Sequence, residues 1–256
     1  MADDAPAAAD VATARRAIAL LDLTDLDDAA SESSVASLCE RAAAHGTAAV
    51  CVWPDFVGQA VSALSNEPVL VATVVNFPTG AERAFAVATL TERALADGAD
   101  EIDVVLPYGA FLAGDEARAA GVLDTVRRVA PATVKVILET GALPGVDEIE
   151  RAARFAIDHG ADFVKSTTGK IPVSATPDAA EAMLRVIAAA ERQVGIKPSG
   201  GIRTLADAAT YLRLADDAMG AGWATPATFR FGASGLLDAL LRAVEGETGA
   251  SSTNDY

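Results

Sequence analysis

The segment HGADFVKSTTGK, residues 159–170, combines the end of a helix, a tight turn and a short apolar strand. Two shorter versions occur earlier in the chain, HGTAAV at 45–50 and DGADEIDV at 97–104. A glycine often follows the last residue of a helix, and a short run rich in valine, isoleucine or phenylalanine is typical of a buried parallel strand. The recurrence therefore predicts a repeated helix–turn–strand unit of about 30 residues.

Eight apolar runs of this kind occur along the chain, and longer amphipathic segments separate them. We expect strands at residues 19–24, 48–53, 69–77, 100–107, 133–140, 162–167, 194–199 and 229–234. Apolar residues three and four positions apart predict helices at 9–18, 34–46, 82–98, 146–160 and 176–193. In the last of these, Thr176 is suited to cap a helix that begins at Pro177.

The alternation of eight strands with helices predicts an α/β fold, a (β/α)8 TIM barrel of typical size, with residues 1–256 forming a single domain. The helix at 9–18 would precede the barrel. The tail at 246–256 lacks apolar periodicity and is expected to be flexible. A doubly wound open sheet is the alternative, but it would usually carry a glycine-rich phosphate fingerprint after its first strand, and LLDLTDLDD at 20–28 contains no glycine.

Composition and charge restrict the class of protein. Hydrophobic residues make up 51% and charged residues 22% of the chain, as expected for a soluble globular protein. The formal net charge of −16 disfavours nucleic acid and anionic membranes as partners. No apolar run is long enough to cross a bilayer and the acidic N-terminus lacks the order of a signal peptide, so a cytoplasmic location is expected. The acidity also suits a cytoplasm at high salt, with an arginine-favouring genome as the alternative explanation.

Four lysines occur in the chain against sixteen arginines, and three of the four interrupt apolar strands. Lys135 lies in TVKVILET, Lys165 in ADFVKSTTGK and Lys197 in VGIKPSGG. A lysine in a buried strand is costly unless its charge is neutralised or used. Unlike arginine, lysine can lose its proton and become an amine nucleophile. The placement of the lysines therefore indicates Schiff-base chemistry.

Asp22, Asp103, Lys165 and Lys197 lie in or near the C-terminal ends of their strands, where the active sites of such barrels form. Strand alternation predicts that Lys165 and Lys197 face inward on neighbouring strands about 4.8 Å apart. Two ammonium groups about 4 Å apart repel by about 4 kcal/mol at an effective dielectric of about 20, enough to bring the pKa of one of them toward neutrality. That amine would attack a carbonyl while the other stays protonated, and the spacing does not decide which is which.

Asp103 is the candidate proton carrier. In EIDVVLP it shares a face with Glu101 and Val105, and a carboxylate near an iminium carbon can move protons during enamine formation. Lys135, lower on the next strand, is suited to pair with Asp103 and keep it ionised. The alternative interpretation is that all of these residues form buried ion pairs that fill the barrel.

The loops after the last three strands indicate an anion site. STTGK, PSGGIRT and FGASGLL each place small residues directly after a strand, where backbone N–H groups and a helix N-terminus favour negative charge. Barrels often bind phosphate with the loops after strands seven and eight. The candidate residues are Thr168, Lys170, Gly200, Gly201, Gly232, Ala233 and Ser234. Ordinary tight turns at helix starts are the alternative for any single loop.

The remaining reactive side chains give no sign of a metal or cofactor. His45 and His159 lie at predicted helix C-termini, where a cation is mildly favourable. Cys39 and Cys51 have neither metal nor disulfide spacing, and Cys51 is expected to be a small core residue. We therefore expect no metal and no cofactor, which disfavours a metal-dependent aldolase.

The chain resembles the deoxyribose-phosphate aldolases, class I aldolases of (β/α)8 fold, from about residue 20 to 240. The most specific segments are GADFVKSTTGK and GIKPSGGIRT, and EIDVVLPY is moderately specific. Matching segments also occur elsewhere, in family order: LLDLTDLDD, AAVCVWPDFV, VATVVNFPTG, VKVILETG and FRFGASGLL. The resemblance implies reversible cleavage of 2-deoxy-D-ribose 5-phosphate to acetaldehyde and D-glyceraldehyde 3-phosphate, in deoxyribose phosphate catabolism.

The resemblance also implies roles for individual residues. Lys165 resembles the Schiff-base lysine, Lys197 the partner amine and Asp103 the proton-relay carboxylate. The glycines at 200 and 201 and the turn at 232–234 match the phosphate-binding region. Asp22 resembles a polar position on the substrate side. Tyr256 resembles a terminal tyrosine that some members fold into the site, but the preceding segment diverges from the family and this point stays open.

Two other functions remain as alternatives. The first is another class I barrel aldolase or a transaldolase that acts on a ketose phosphate. The second is a barrel that binds a sugar phosphate without catalysis. As partners we expect sugar phosphates and aldehydes, together with a homo-oligomer, most simply a dimer.

Overall fold

The computed structural model describes residues 8–246 and shows one sheet of eight parallel strands surrounded by helices. The strands are β1 Leu21–Asp25, β2 Ala49–Val52, β3 Leu70–Val75, β4 Glu101–Val105, β5 Thr133–Ile137, β6 Phe163–Lys165, β7 Gly195–Lys197 and β8 Phe231–Ala233. All eight predicted strands are therefore confirmed, each within a few residues of its predicted bounds.

The sheet closes on itself. Consecutive strands pair in parallel from β1 to β7, and β1 also pairs with β8. Isolated bridges join Ile196 to Phe229 and Ser199 to Gly232, which connects β7 to the β8 region. The fold is the predicted (β/α)8 barrel.

Ten α-helices lie in the described part of the chain. They are α1 Ala8–Ala19, α2 Glu32–His45, α3 Val57–Ala63, α4 Ala84–Ala96, α5 Tyr108–Leu112, α6 Glu116–Val129, α7 Val146–Asp158, α8 Pro177–Ala188, α9 Leu205–Met219 and α10 Leu236–Glu245. The five predicted helices correspond to α1, α2, α4, α7 and α8; the other five were not predicted. None of the described helices is long and apolar enough to cross a bilayer.

The predicted helix–turn–strand unit is present. Gly46, Gly98 and Gly160 have φ values of 65°, 100° and 86°, the left-handed conformation that lets the chain leave a helix and turn into the next strand. At the other end of a helix, the Thr176 hydroxyl accepts a hydrogen bond from the backbone N–H of Ala179, the predicted N-cap of α8.

Strand alternation separates an apolar outer layer from a polar interior. Leu21 and Leu23 of β1, and Ile102 and Val104 of β4, belong to the large apolar core that also contains the helices. The residues between them point into the barrel, so Asp22 and the charged side chains of β4 are enclosed. Of the tail at 246–256, the structure describes Gly246, which ends α10. Residues 247–256, including Tyr256, lie outside the described residues.

Candidate active site

Seven ionisable side chains meet inside the barrel, and all of them are buried. They are Asp22, Glu101, Asp103, Lys135, Lys165, Lys197 and Arg230. The strand register explains the meeting, since Asp103 pairs with Lys135 across β4 and β5, and Lys165 pairs with Lys197 across β6 and β7. The predicted inward orientation of both lysines is therefore correct.

Asp103 is the centre of this cluster. Its Oδ1 accepts a hydrogen bond from Lys135 Nζ at 2.9 Å, and its Oδ2 accepts from both Lys165 Nζ at 2.9 Å and Lys197 Nζ at 2.8 Å. Burial raises the pKa of this carboxyl, but Lys135, Lys165 and Lys197 outweigh burial and hold the pKa well below its ordinary value. Asp103 is therefore ionised, and the predicted pairing with Lys135 is present.

Lys197 and Lys135 are each held by two close carboxylates. Lys197 Nζ lies 2.6 Å from Asp22 Oδ2 in addition to its bond to Asp103, and Lys135 Nζ donates to Glu101 Oε2 at 2.6 Å. Burial lowers the pKa of both lysines, and the carboxylates more than offset it, so both pKa values are raised. These two amines therefore stay protonated.

Lys165 differs from the other two lysines. Among residues 8–246 its ammonium group pairs with one carboxylate, Asp103, and it shares the accepting oxygen with Lys197. Its side chain also lines the open cavity at the end of the barrel, which the side chains of Lys135 and Lys197 do not. The geometry thus singles out Lys165 as the amine that a carbonyl compound can reach.

The predicted repulsion between Lys165 and Lys197 is incomplete as an explanation. Repulsion of that size applies to two isolated ammonium groups, whereas the Asp103 carboxylate contacts both lysines in the structure. A shared anion offsets much of the repulsion between two cations, so the two lysines cannot be treated in isolation. The charge of the whole cluster has to be considered.

The cavity above the cluster has a volume of about 550 Å³. Its wall is formed by the loops that follow β1, β6, β7 and β8, which are the C-terminal ends of the strands. All seven residues predicted for the anion site line it: Thr168 and Lys170 after β6, Gly200 and Gly201 after β7, and Gly232, Ala233 and Ser234 at β8 and beyond. The seven residues therefore lie on one cavity wall, and anion binding there stays a prediction.

Close packing holds the two glycine-rich loops in place. The Ser199 hydroxyl donates to the backbone oxygen of Thr167 at 2.5 Å, and the Ser166 and Thr167 hydroxyls donate to the backbone oxygen of Ser199. Gly200 has a φ of 88°, and a Cβ at this position would lie 2.6 Å from Thr167 Oγ1. Only glycine fits there without moving the neighbouring loop.

Two basic side chains line the cavity beside the predicted anion-binding residues. Lys170 Nζ donates to Asp28 Oδ1 at 2.8 Å, so its charge is shared with a carboxylate that is 89% exposed. Arg203 also lines the cavity and was not predicted. The sequence signal for Arg203 was present, since the residue belongs to the same PSGGIRT loop as the two glycines.

The structure corrects the predicted position of Asp22. This side chain does not reach the cavity wall but is fully buried in the cluster, paired with Lys197 and with Arg230. Burial raises its pKa, and Lys197, Arg230 and Lys135 together lower the pKa far below the ordinary value. Thr24, two residues further along β1, lines the cavity instead.

Arg230 and Glu101 are members of the cluster for which no role was predicted. Arg230 Nη1 donates to Asp22 Oδ1 at 2.6 Å, and Nη2 donates to Glu101 Oε1 at 2.9 Å. Burial lowers the pKa of Arg230, but Asp22 and Glu101 outweigh burial and raise it. An arginine inside the apolar run FRFGAS was the available signal.

Glu139 was also missed. It directly follows β5, is buried, and has a φ of 57°, which is uncommon for a residue other than glycine. Its carboxylate accepts hydrogen bonds from the backbone N–H and the hydroxyl of Thr168, at 3.2 and 2.6 Å. Burial raises the pKa of Glu139 despite these bonds. The contacts tie the loop after β6 to the end of β5.

The cysteine and the two histidines considered from sequence do not line the cavity. Cys51 lies on β2 and is fully buried, and burial raises the pKa of its thiol, which disfavours the thiolate. His45 is the last residue of α2, and His159 follows α7, where its Nδ1 lies 2.7 Å from Asp124 Oδ1. Within the described residues no group of three His, Cys, Asp or Glu side chains is arranged to hold a metal ion.

Comparison with known proteins gives a consistent result. Residues 16–242 match the family described as DeoC/LacD family aldolase. The chain is 48% identical over 244 residues to the deoxyribose-phosphate aldolase of Agrobacterium fabrum, which covers 93% of this chain and 94% of that protein.

Solved structures share the fold. A crystal structure from Toxoplasma gondii ME49 superposes with a TM-score of 0.86 at 29% identity, covering 93% of this chain and 98% of that one. The deoxyribose phosphate aldolase of Aeropyrum pernix, described as a unique tetramer, gives a TM-score of 0.75 at 22% identity, covering 93% of this chain and 98% of that one. At that identity the second likeness concerns the fold alone.

Proposed function

Since this chain belongs to the DeoC/LacD family of aldolases, we propose that it is a deoxyribose-phosphate aldolase in which Lys165 forms the Schiff base. The reaction is the reversible cleavage of 2-deoxy-D-ribose 5-phosphate to acetaldehyde and D-glyceraldehyde 3-phosphate. One observation carries the assignment of the site: Lys165 opens onto the cavity while its ammonium group contacts Asp103, next to the protonated Lys197. The 48% identity to a protein of that name supports the choice of substrate.

The first step joins Lys165 to the sugar. The uncharged amine attacks C1 of the open-chain aldehyde, and the carbinolamine loses water to give an iminium ion. Lys197, whose raised pKa keeps it charged, and the ionised Asp103 surround the amine. They supply a proton donor and a hydrogen-bond acceptor for the hydroxyl that leaves as water.

The iminium ion then draws electrons from the bond that breaks. A two-carbon and a three-carbon product require cleavage between C2 and C3, with the C3 hydroxyl losing its proton and becoming the aldehyde of glyceraldehyde 3-phosphate. The electron pair goes to C2 and forms an enamine. Protonation at C2 and hydrolysis release acetaldehyde, and the water lost in the first step is regained.

Asp103 relays these protons together with a water molecule. A carboxyl with a strongly lowered pKa does not hold a proton for long, because three ammonium groups favour its ionised form. Its part is therefore to accept a hydrogen bond from Lys165 and to pass a proton on rapidly, not to store it.

The phosphate group is placed against the loops after β7 and β8. Gly235 precedes α10 and offers no side-chain oxygen to cap it, so the N–H groups of the first turn remain available to an anion. Ser234 and Arg203 line the same part of the cavity wall. A helix N-terminus, small residues and a nearby guanidinium together suit a phosphate.

Reductive trapping tests the nucleophile. Borohydride added with acetaldehyde should attach an ethyl group to the peptide that contains Lys165, because reduction makes the imine permanent. Lys165→Met should abolish the adduct, whereas Lys170→Met, which removes another lysine of the same cavity, should retain it. An adduct on Lys170, or none on the native protein, would refute the mechanism.

A second measurement tests the phosphate site. Arg203→Met should raise KM for 2-deoxyribose 5-phosphate by roughly tenfold, the loss of one charge-assisted contact, and leave KM for unphosphorylated 2-deoxyribose unchanged. Arg213→Met, an exposed arginine on α9, is the matched control. Equal changes for both substrates would place the phosphate elsewhere. Turnover with dihydroxyacetone phosphate instead of acetaldehyde as donor would favour a different aldolase.

The homodimer and the cytoplasmic location stay predictions. Light scattering coupled to size exclusion would measure the mass of the assembly against the 26.1 kDa of the chain.

A further inference from the structure

The buried cluster contains more cations than anions. Three carboxylates, Asp22, Glu101 and Asp103, face four cations, Lys135, Lys165, Lys197 and Arg230, and each member contacts another. If all seven were ionised the cluster would carry one positive charge too many, enclosed by the barrel. Because an uncompensated charge is costly in such surroundings, the cluster tends to release a proton.

Arg230 cannot be the group that releases it. A guanidinium keeps its proton under all conditions in which a protein is folded, so Arg230 is a permanent positive charge. Its two terminal nitrogens contact Asp22 Oδ1 and both oxygens of Glu101, at 2.6, 2.9 and 3.2 Å. The excess charge is therefore left to the lysines.

The carboxylates do not compensate the positive charges of the three lysines equally. Lys135 takes Glu101 Oε2 and Asp103 Oδ1, and Lys197 takes the Oδ2 atoms of Asp22 and Asp103. Lys165 is left with Asp103 Oδ2, which already accepts from Lys197. Of the three lysines, Lys165 is the one whose positive charge is least compensated.

The other elements around Lys165 add one acidic group, Glu139, to its surroundings. In β3 and β8 no residue is charged. On β2 the titratable group is Cys51, whose pKa is raised first of all by burial. After β5, the carboxyl of Glu139 contacts Thr168 and forms no ion pair with the cluster in the described part of the chain. Burial raises the pKa of Glu139 and outweighs the charge of Lys165, which lowers that pKa, so the uncharged acid is favoured.

We propose that Arg230 is a positioning residue that acts through its charge: by making the cluster one cation richer than its carboxylates can neutralise, it drives Lys165 to give up its proton and become nucleophilic. Arg230 does not line the cavity and touches no substrate there. The proposal rests on the proposed function in one respect, that Lys165 is the Schiff-base amine.

Changing the charge of the cluster by one unit in either direction tests the idea. The rate at which cyanoborohydride traps the acetaldehyde adduct on Lys165 is measured against pH, and its midpoint is compared between variants. A unit charge at a distance on the order of 10 Å in an effective dielectric of about 20 is worth about one pH unit. Arg230→Met should raise the midpoint by about that amount, and Glu101→Gln should lower it by a similar amount.

The double variant separates charge from structure. Arg230→Met combined with Glu101→Gln again leaves one cation in excess, so its midpoint should return close to the native value. Arg230→Lys keeps the charge without the planar contacts and should leave the midpoint in place even where the protein is less stable. A residue that only supports the fold would slow trapping in every variant without opposite shifts.

The outcomes are distinct. If the native protein forms no adduct on Lys165, the proposed function fails and this inference fails with it. If the adduct forms but the midpoints of Arg230→Met and Glu101→Gln both equal the native midpoint, the inference is overturned and the proposed function stands. Should Arg230→Met not fold, as judged by circular dichroism, the downward shift in Glu101→Gln and the unshifted midpoint of Arg230→Lys decide the matter.

Discussion

Replacement of Lys197 by methionine measures how strongly the buried cluster depends on that cation. The substitution removes an ion pair of 2.6 Å to Asp22 Oδ2 and a hydrogen bond of 2.8 Å to Asp103 Oδ2. Asp103 keeps Lys135 on one oxygen and Lys165 on the other. Asp22 Oδ2 is left with Lys135 at 3.7 Å, beyond hydrogen-bonding distance. The cost therefore falls mainly on Asp22.

The expected loss is large and depends on pH. Removing one partner of a buried ion pair costs about 3–5 kcal/mol of unfolding free energy. In the native protein the lowered pKa of Asp22 gives stability that is present above the ordinary value of 3.8 and is lost as the pH falls through the folded value. In the variant the part of that stability that Lys197 supplies is absent, while Arg230 still contacts Asp22 Oδ1, so protonating Asp22 costs less than in the native protein. The difference between the two proteins should therefore be greatest near neutrality and shrink in acid.

Titration of Lys197 does not contribute to the difference between the two pH values. A lysine with a raised folded pKa contributes stability that is complete below its ordinary value of 10.5 and is lost only as the pH rises through the higher folded value. Between a pH of about 3 and a pH of about 7 that contribution is constant. The change over this range therefore reports on the carboxylates.

Urea unfolding followed by circular dichroism, at a pH of about 7 and of about 3, is the assay. Lys197→Met combined with Asp22→Asn should recover part of the loss, since it removes both charges of the broken pair but leaves Arg230 with Glu101 as its one carboxylate. Lys170→Met, which breaks a pair with the exposed Asp28, should cost no more than about 1 kcal/mol. A loss below about 1 kcal/mol in Lys197→Met, or one that is equal at both pH values, would refute the reasoning.

Two further substitutions test the surroundings of the site. A Cβ at Gly232 would lie 2.7 Å from Ser199 Cβ and 3.1 Å from Lys197 Cε, so Gly232→Ala should slow adduct formation on Lys165 by roughly tenfold. Gly235→Ala, whose Cβ would meet nothing within 4 Å, is the control and should not slow it. Equal trapping rates in the two variants would show that the site tolerates displacement of Lys197. Glu139→Ala removes both hydrogen bonds to Thr168 and should raise KM for the phosphorylated substrate more than it lowers kcat, with Glu139→Gln, which keeps one acceptor, intermediate; a change in kcat alone would contradict a role in holding the loop.

The barrel could be predicted because its strands and turns leave strong local signals. Strands buried on both faces are short apolar runs, and the glycine after a helix marks where the next strand begins. Two of the unpredicted helices, α3 and α5, have seven and five residues, too few to show helical periodicity. The helices α6, α9 and α10 do carry buried residues three and four apart, so their omission was avoidable.

The depth of a residue in the barrel was not accessible in the same way. Strands in a closed barrel are tilted and staggered, so equal positions along two sequences do not lie at equal heights. Asp22 therefore lies in the buried cluster although it was expected beside the substrate, while Thr24 reaches the cavity. Lys165 and Lys197 were placed correctly because β6 and β7 are adjacent and the register matches them directly.

The choice of nucleophile shows why a pair of residues is too small a unit for this site. Spacing along β6 and β7 predicts that Lys165 and Lys197 are neighbours, and a pair taken alone is symmetric. The two lysines differ because of a residue on another strand: Asp22 on β1 forms a second ion pair with Lys197. Lys165 pairs with Asp103 Oδ2, an oxygen that also accepts from Lys197. Because electrostatic interactions within an enclosed cluster add over all its members, the reactivity of Lys165 depends on Glu101 and Arg230, which do not line the cavity. Charge substitutions at those two positions should therefore change the chemistry in opposite directions.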